Sequence, residues 1–454
     1  MIIPLRDKAF YTSLLSLAVP VALQNIINAG VGLTDNLMVG RLGETQLAAV
    51  ALANQPFYII LLLFFGLGSG AGVLNAQYWG KKELPPIEKA IALSLRLSLA
   101  VGLAASLAVI IWPGQIMALF SSDPAVIDCG IPYLRIVGSS YIFSSFTVTY
   151  LICLRSLEKA AIPFYIYGIS LALNIFLNWV LIYGNLGAPR MEVVGAAIAT
   201  FIARLLEALM ALIYGRHFNN HLRFRIRSLW QKSGILARDF YHYSGPVIFN
   251  EFLWGLGISL QVLLLGRLSS EAVAANAIAR NLQYISSVAM LGIANASAVL
   301  IGKEIGAGQE QRARNVAATL TLWSFVLGLI AAGLMILVRP LIFSFYDLTY
   351  DTRHYLNIML LMMALYSFLQ GPNCTCIIGI LRGGGDTRFA LVLDVGVLWG
   401  VSLLFGFLGG FVFGWPVLII YAILVSDELL KFIPGLLRLK SDRWLHNVTR
   451  DTAE

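Results

Sequence analysis

Residues 13–38 read SLLSLAVPVALQNIINAGVGLTDNLM, an apolar run of more than twenty residues whose one charged member is Asp35. A helix rises 1.5 Å per residue, so about 20 mostly apolar residues cross a hydrocarbon core roughly 30 Å thick. Working outward, runs of the same kind recur near 50–76, 88–113, 131–154, 161–184, 193–215, 241–265, 273–302, 315–338, 354–381, 389–411 and 414–436. The chain therefore reads as an all-α polytopic membrane protein with twelve transmembrane helices. Composition agrees: 58% of residues are hydrophobic and 12% charged, against about 45–50% and about 25% in soluble domains. The mean hydropathy is +0.79. The first run follows a short basic start, Arg6 and Lys8, and is too long for a cleaved leader, so it reads as a span.

The basic residues give the orientation. With the N-terminus inside, the inner segments hold 23 Lys and Arg and the outer ones five: Arg41, Arg190, Arg267, Arg339 and Arg353. Shifting the count by one helix destroys this bias, so it also favours an even number of spans and places both termini in the cytoplasm. The localisation expected is a cell (inner) membrane. The net charge of +8 comes from loop residues between apolar runs, which points to lipid and away from nucleic acid. Cys129, Cys153, Cys374 and Cys376 lie in or close to apolar runs, with neither metal-ligand nor disulfide spacing, and read as free thiols.

The chain also repeats itself at an offset of 226. Pro20 matches Pro246, Gly40-Arg41-Leu42 matches Gly266-Arg267-Leu268, and Ala48-Ala49 matches Ala274-Ala275. Tyr58-Ile59 matches Tyr284-Ile285, Gly66 matches Gly292, and Gly80 matches Gly306. With one residue of slip, Leu154-Arg155 matches Leu381-Arg382. Six spans separate the copies, so both face the same way, a parallel pseudo-two-fold repeat about the membrane normal. Transporters built like this place substrate between their halves. The expected parts are an N-terminal lobe over 1–215, a cytoplasmic linker over 216–240 and a C-terminal lobe over 241–454.

Walker-type phosphate loops, Gly-x-Ser-x-Gly elbows, zinc motifs and Cys-x-x-Cys pairs are missing from the sequence, which argues against an ATPase, a hydrolase or a redox enzyme. An ion gradient is then the simplest source of energy. Ionisable residues inside spans are costly and are candidates for function. Asp35, near the outer end of the first span, suits a proton or, with further oxygens, sodium; the competing reading is a carboxylate reaching for the outer interface. The second half has Gln261 at the Asp35 position and Glu251 at the Asn25 position, beside Asn250. Ten residues put Glu251 roughly 15 Å from Gln261 along a helix, nearer the inner side. Glu251 could serve a proton or a cationic substrate, or could be a buried packing carboxyl. Asn174 and Asn178 lie four apart on one helix face, and Thr200 in the next span could add a hydroxyl to a sodium site; interhelical hydrogen bonding is the plain alternative. Arg204 and Glu207 are spaced to pair, as are Asp427, Glu428 and Lys431, whereas Asp394 has no partner nearby in sequence. Phe57, Tyr58, Tyr141, Trp254 and Tyr284 could line a cavity for flat cations or could simply pack.

Taken together, Pro20 through Asp35 to Gly40-Arg41-Leu42-Gly43, Leu154-Arg155, Asn174-x-x-x-Asn178, Gly195-Ala196-Ala197-x-Ala199-Thr200 and Leu381-Arg382-Gly383-x-Gly385-Asp386 resemble the multidrug and toxic compound extrusion transporters over nearly the whole chain. The resemblance implies two six-helix lobes around a central cavity and drug efflux driven by sodium or proton entry. It implies a cation site at Asp35, Asn174, Asn178 and Thr200. One branch of the family has an acid ten positions before the Leu-Arg-Gly of span ten; this chain has Gly371 there, with Asn373 nearby. The same branch has its span-seven acid where this chain has Trp254, so the resemblance favours coupling at Asp35 over a sodium site in the second lobe. The expected partners are membrane lipid and small organic molecules, the expected unit a monomer, and no cofactor beyond the coupling ion is implied. A flippase for lipid-linked saccharides shares the wider fold; it would need basic residues facing its cavity, for which Arg96, Arg135, Arg204 and Arg280 are the candidates.

Overall fold

With no water to satisfy backbone groups in a bilayer core, only helices and closed barrels cross it. In the computed structural model, which describes residues 7–219, 226–231, 234–345 and 348–450, the regular structure is helical throughout. Apart from an isolated bridge between Gly385 and Leu445, the described residues contain no β pairing. Arg6, Arg223, Arg225 and Lys232, counted above as inner charges, lie outside the described residues, as do other parts of the expected 216–240 linker.

The helices in chain order are α1 (Lys8–Gly40), α2 (Glu44–Ala53), α3 (Gln55–Gly80), α4 (Leu84–Ile111), α5 (Pro113–Phe120), α6 (Pro124–Ser139), α7 (Tyr141–Arg155), α8 (Ala161–Tyr183) and α9 (Glu192–Ile213). Then come α10 (Gly234–Leu268), α11 (Ser270–Gly306), α12 (Glu310–Phe345), α13 (Tyr350–Cys374), α14 (Thr387–Val397), α15 (Leu404–Phe407), α16 (Val417–Leu424) and α17 (Asp427–Lys440). Among the described residues, ten helical segments are long and apolar enough to span, or eleven when α6 and α7, bent by 48°, count as one. The expected run at 414–436 falls instead on two helices. The turn at 425–426 ends α16, and Asp427, Glu428 and Lys431 then fill the first turns of α17, so no long uncharged window remains. Large apolar side chains such as Leu37 (69%), Ile285 (68%) and Leu337 (71%) stand exposed, as suits a lipid solvent.

The chain forms two compact units. One comprises Leu23–Asn75 and Leu84–Phe240; the other comprises Tyr241–Glu454 together with Met1–Ala22 and Ala76–Glu83. Two pieces of the first half of the sequence thus pack with the second. Burial follows the 226-residue offset. Val39, Ala49 and Ala53 are buried in the first unit's core, and Leu265, Ala275 and Ala279 are buried in the second's.

The borrowed segment Ala76–Glu83 shows why the second unit claims it. A Cβ on Gly80 would strike the Lys303 carbonyl, and one on Gly306 would strike the Gln77 carbonyl. These two glycines are repeat mates, and each lets the other's helix approach backbone to backbone. Gln77, fully buried, donates from Nε2 to the carbonyls of Gly383 (3.1 Å) and His446 (3.0 Å), and its Oε1 accepts from the Val448 amide (2.8 Å). Lys81 Nζ donates to the Arg450 carbonyl at 2.7 Å, and Trp444 is buried close to Gly384. One glutamine therefore ties α3 to the loop after α13 and to the chain's final described residues.

Candidate functional site

Each unit holds a buried polar cluster. In the first, α1 delivers Asp35 and α8 delivers Asn174 and Asn178. The i, i+4 spacing sets the two amides one above the other on the face of α8 that meets α1. Asn178 Nδ2 donates to Asp35 Oδ1 at 2.6 Å and to Asn174 Oδ1 at 3.2 Å. Both asparagines are buried, and Asp35 is half-buried. Among the described residues no Lys or Arg forms an ion pair with Asp35, and the buried Asn178 Oδ1 has no hydrogen-bond donor. Thr200 lies half-buried on α9, and no hydrogen bond joins it to this trio among the described residues.

Around this trio the cationic group is occupied elsewhere. Arg204 stacks its guanidinium 3.7 Å from the Phe57 ring centroid and donates to Ser140 Oγ at 3.0 Å. Phe57 in turn lies 5.3 Å from the ring of buried Tyr141. Arg204 and Glu207 do not form the expected pair: Glu207 accepts from Ser170 Oγ at 2.6 Å, across the α8–α9 contact. Packing between helices outweighs the i, i+3 preference here. Asn54, at the turn between α2 and α3, donates from Nδ2 to the Tyr133 hydroxyl at 3.2 Å.

In the second unit, Arg382 donates from a terminal nitrogen to Glu251 Oε1 at 2.6 Å, with both side chains buried. Asn250 donates to Asp394 Oδ2 at 2.8 Å; Asp394 Oδ1 lies 2.8 Å from Lys431 Nζ, which also lies 2.6 Å from Asp427. Asn373 Nδ2 donates to Glu428 Oε2 at 2.7 Å. Gln261, the repeat mate of Asp35, accepts from Arg280 at 2.9 Å and donates to the Leu424 carbonyl at 2.9 Å. The sequence offered no partner for Asp394; the structure supplies two, from α10 and α17. The orientation count took Arg155, Arg382 and Lys431 among the inner charges, and all three are buried. The matched Leu-Arg pairs at 154–155 and 381–382 were the one signal that two of them are structural. The inner excess of positive charge survives their removal.

The expected cavity residues divide. Phe57 and Tyr141 sit in the arginine stack, and Asn373 is held by Glu428. Trp254 is half-buried on α10, while the repeat mates Tyr58 and Tyr284 are 54% and 40% exposed. Among the described residues no cluster of three or more His, Cys, Asp or Glu is arranged to hold a metal ion. The Asp35 trio offers a different donor set, one carboxylate and two amide oxygens, with the unmet Asn178 Oδ1 among them. Oxygens of this kind suit a hard monovalent cation, and the carboxylate alone suits a proton.

Comparison with known proteins places these clusters in a family context. The MatE family profile matches residues 20–180 and 246–432. The probable multidrug resistance protein YoeA of Bacillus subtilis is 25% identical over 388 residues, covering 85% of this chain and 84% of that protein. The multidrug resistance protein PmpM of Pseudomonas aeruginosa is 27% identical over 413 residues, covering 89% and 84%. Among solved structures, an outward-facing multidrug resistance MATE family transporter of the MOP superfamily superposes with a TM-score of 0.84 at 18% identity, covering 97% of this chain and 96% of that one. A MOP superfamily transporter from Pyrococcus furiosus gives 0.83 at 18%, covering 94% and 96%.

Proposed function

This chain belongs to the MatE family of multidrug and toxic compound extrusion transporters, and from that premise we propose that it exports small organic molecules by antiport, with the coupling ion bound at Asp35. It is a multi-pass membrane transporter and not an enzyme. The relatives named for multidrug resistance support efflux as the direction and drug-like compounds as the cargo. We place it in the cell membrane as a monomer of twelve spans, with both termini cytoplasmic.

One observation carries the coupling assignment. Asp35 is an intramembrane carboxylate held by an amide; among the described residues no Lys or Arg is in ion-pair contact with it, and Arg204 acts on it only at longer range. An unpaired charge in hydrocarbon is costly. It is relieved by a bound proton or by sodium, and with sodium Asp35, Asn174 and Asn178 supply the oxygens. An ion drives a two-state cycle only through different affinity for the two states. The Asn178 hydrogen bond gives a means: loading Asp35 changes which atoms of Asn178 it can engage, and so the contact between α1 and α8.

A flippase for lipid-linked sugars would need free cationic groups for pyrophosphate. Of the four candidate arginines, Arg204 and Arg280 are instead engaged by aromatic rings and polar side chains, which weighs against that role for these two. The test uses purified protein in liposomes preloaded with a fluorescent cationic drug. An imposed sodium gradient, and separately a proton gradient, should reveal one that drives uphill movement. Failure of both to drive any drug would overturn antiport.

A further inference from the structure

The second unit's buried network does not balance its charge, and we propose that the imbalance is met by a proton held on Glu428, a second proton-binding site distinct from Asp35. Four carboxylates converge: Glu251 from α10, Asp394 from α14, and Asp427 and Glu428 from α17. Arg382 pairs with Glu251 at 2.6 Å and acts on Asp394 at longer range. Lys431 is shared by Asp394 at 2.8 Å and Asp427 at 2.6 Å. Among the described residues Arg280 on α11 is the further cation here; it meets the Gln261 amide at 2.9 Å and the Tyr366 ring at 5.6 Å, and acts on Asp427 at longer range. Even with Arg280 counted toward Asp427, four acids face three bases.

Glu428 is the acid left over. Its hydrogen-bond donor is the side-chain amide of Asn373, at 2.7 Å, and no ion pair reaches it among the described residues. It is faced from its own helix by Asp427 and Lys431, and from α14 by Asp394. From α13 come Tyr366 and Cys374. Asp427 and Asp394 both oppose a negative charge on Glu428, and the Lys431 ammonium is already spent on those two carboxylates. Desolvated like charges at this spacing cannot all ionise, so one carboxyl takes a proton. The network also has unmet hydrogen-bonding capacity: buried Asn250 Oδ1, on the residue that binds Asp394, lacks a donor.

The sequence offered Glu251 for a proton, a cationic substrate or packing. The geometry favours Glu428 for the proton, because Glu251 already has Arg382 as an ion-pair partner. Glu428 also accepts through the link to Asn373 that joins α17 to α13, so gain or loss of its proton acts on that helix pair.

The test reads protonation directly, without transport, so it stands or falls separately from Asp35. Infrared difference spectra of the purified protein in nanodiscs are recorded across a pH titration, every variant being made in an Asp35→Asn background so that a proton on Asp35 adds no carboxyl band. The Asp35→Asn parent should show a protonated-carboxyl band that disappears on raising the pH. Glu428→Gln, which keeps the size and the link to Asn373, should remove that band, whereas Glu251→Gln should leave it. Asp427→Asn removes the surplus charge while sparing Glu428, and should move the titration midpoint at least tenfold in proton concentration toward acid. A band that persists in Glu428→Gln, or an unmoved midpoint in Asp427→Asn, would overturn the assignment.

Discussion

Asp35 and Gln261 occupy the same place in the two sequence repeats, yet their surroundings are inverted. In the first half an acid is held by an amide, Asn178 to Asp35, and the position 226 residues before Arg280 is the neutral Asn54. In the second half the amide Gln261 is held by a cation, Arg280. The acid of the second half, Glu251, sits elsewhere on its helix and is neutralised by Arg382. On the reading proposed above, the first unit keeps a carboxylate for a mobile ion, and the second pairs Glu251, Asp394 and Asp427 with fixed cations and leaves Glu428 to a proton. The substitutions at matched positions of the sequence repeat would then decide how each unit answers to an ion.

Breaking the fixed pair should have the largest effect. Arg382→Met strands the Glu251 carboxylate in a buried site and should cost about 3–5 kcal/mol of stability. Thermal unfolding in detergent would show it, and adding Glu251→Gln to Arg382→Met should recover most of the loss. If the single and double variants unfold alike, the pair is not what neutralises Glu251. An intermediate effect is expected at the reciprocal glycines. Gly80→Ala and Gly306→Ala each drive a methyl into a neighbouring backbone, at roughly 1–3 kcal/mol apiece. Their costs should be similar, because each mate meets the other's helix; a silent variant at either position would show that the helices can part without penalty. The smallest stability effect belongs to Asn178→Ala, about 0.6 kcal/mol for an average interhelical hydrogen bond in a membrane. The same variant should nonetheless impair ion-driven efflux, since it removes the donor to Asp35. Unchanged efflux would detach Asn178 from the coupling site.

Much of this was legible in the sequence because lipid imposes simple rules. Apolar length marked the long helices, of which ten or eleven are apolar enough to span among the described residues. The helical spacing of Asn174 and Asn178 gave their shared face. What resisted reading was the choice of partner between distant helices. Asp394 finds Lys431 and Asn250 through packing of α14 against α17 and α10, which no local spacing encodes. Arg382 looked like a loop charge because it flanks an apolar run, and burial shows otherwise. The segment 414–436 looked like one span because its charges cluster at one end, and the turn at 425–426 divides it. The assignment of Ala76–Glu83 to the second unit was likewise hidden, although the match of Gly80 with Gly306 marked the two positions that meet.

The most direct test of the account is efflux by Asp35→Asn in liposomes under whichever ion gradient drives the wild type. The substitution keeps the size of the side chain and removes the charge. The account predicts that gradient-driven export falls to the level of empty liposomes while the purified variant remains folded and still binds drug. Export at the wild-type rate, dependent on the same gradient, would contradict it.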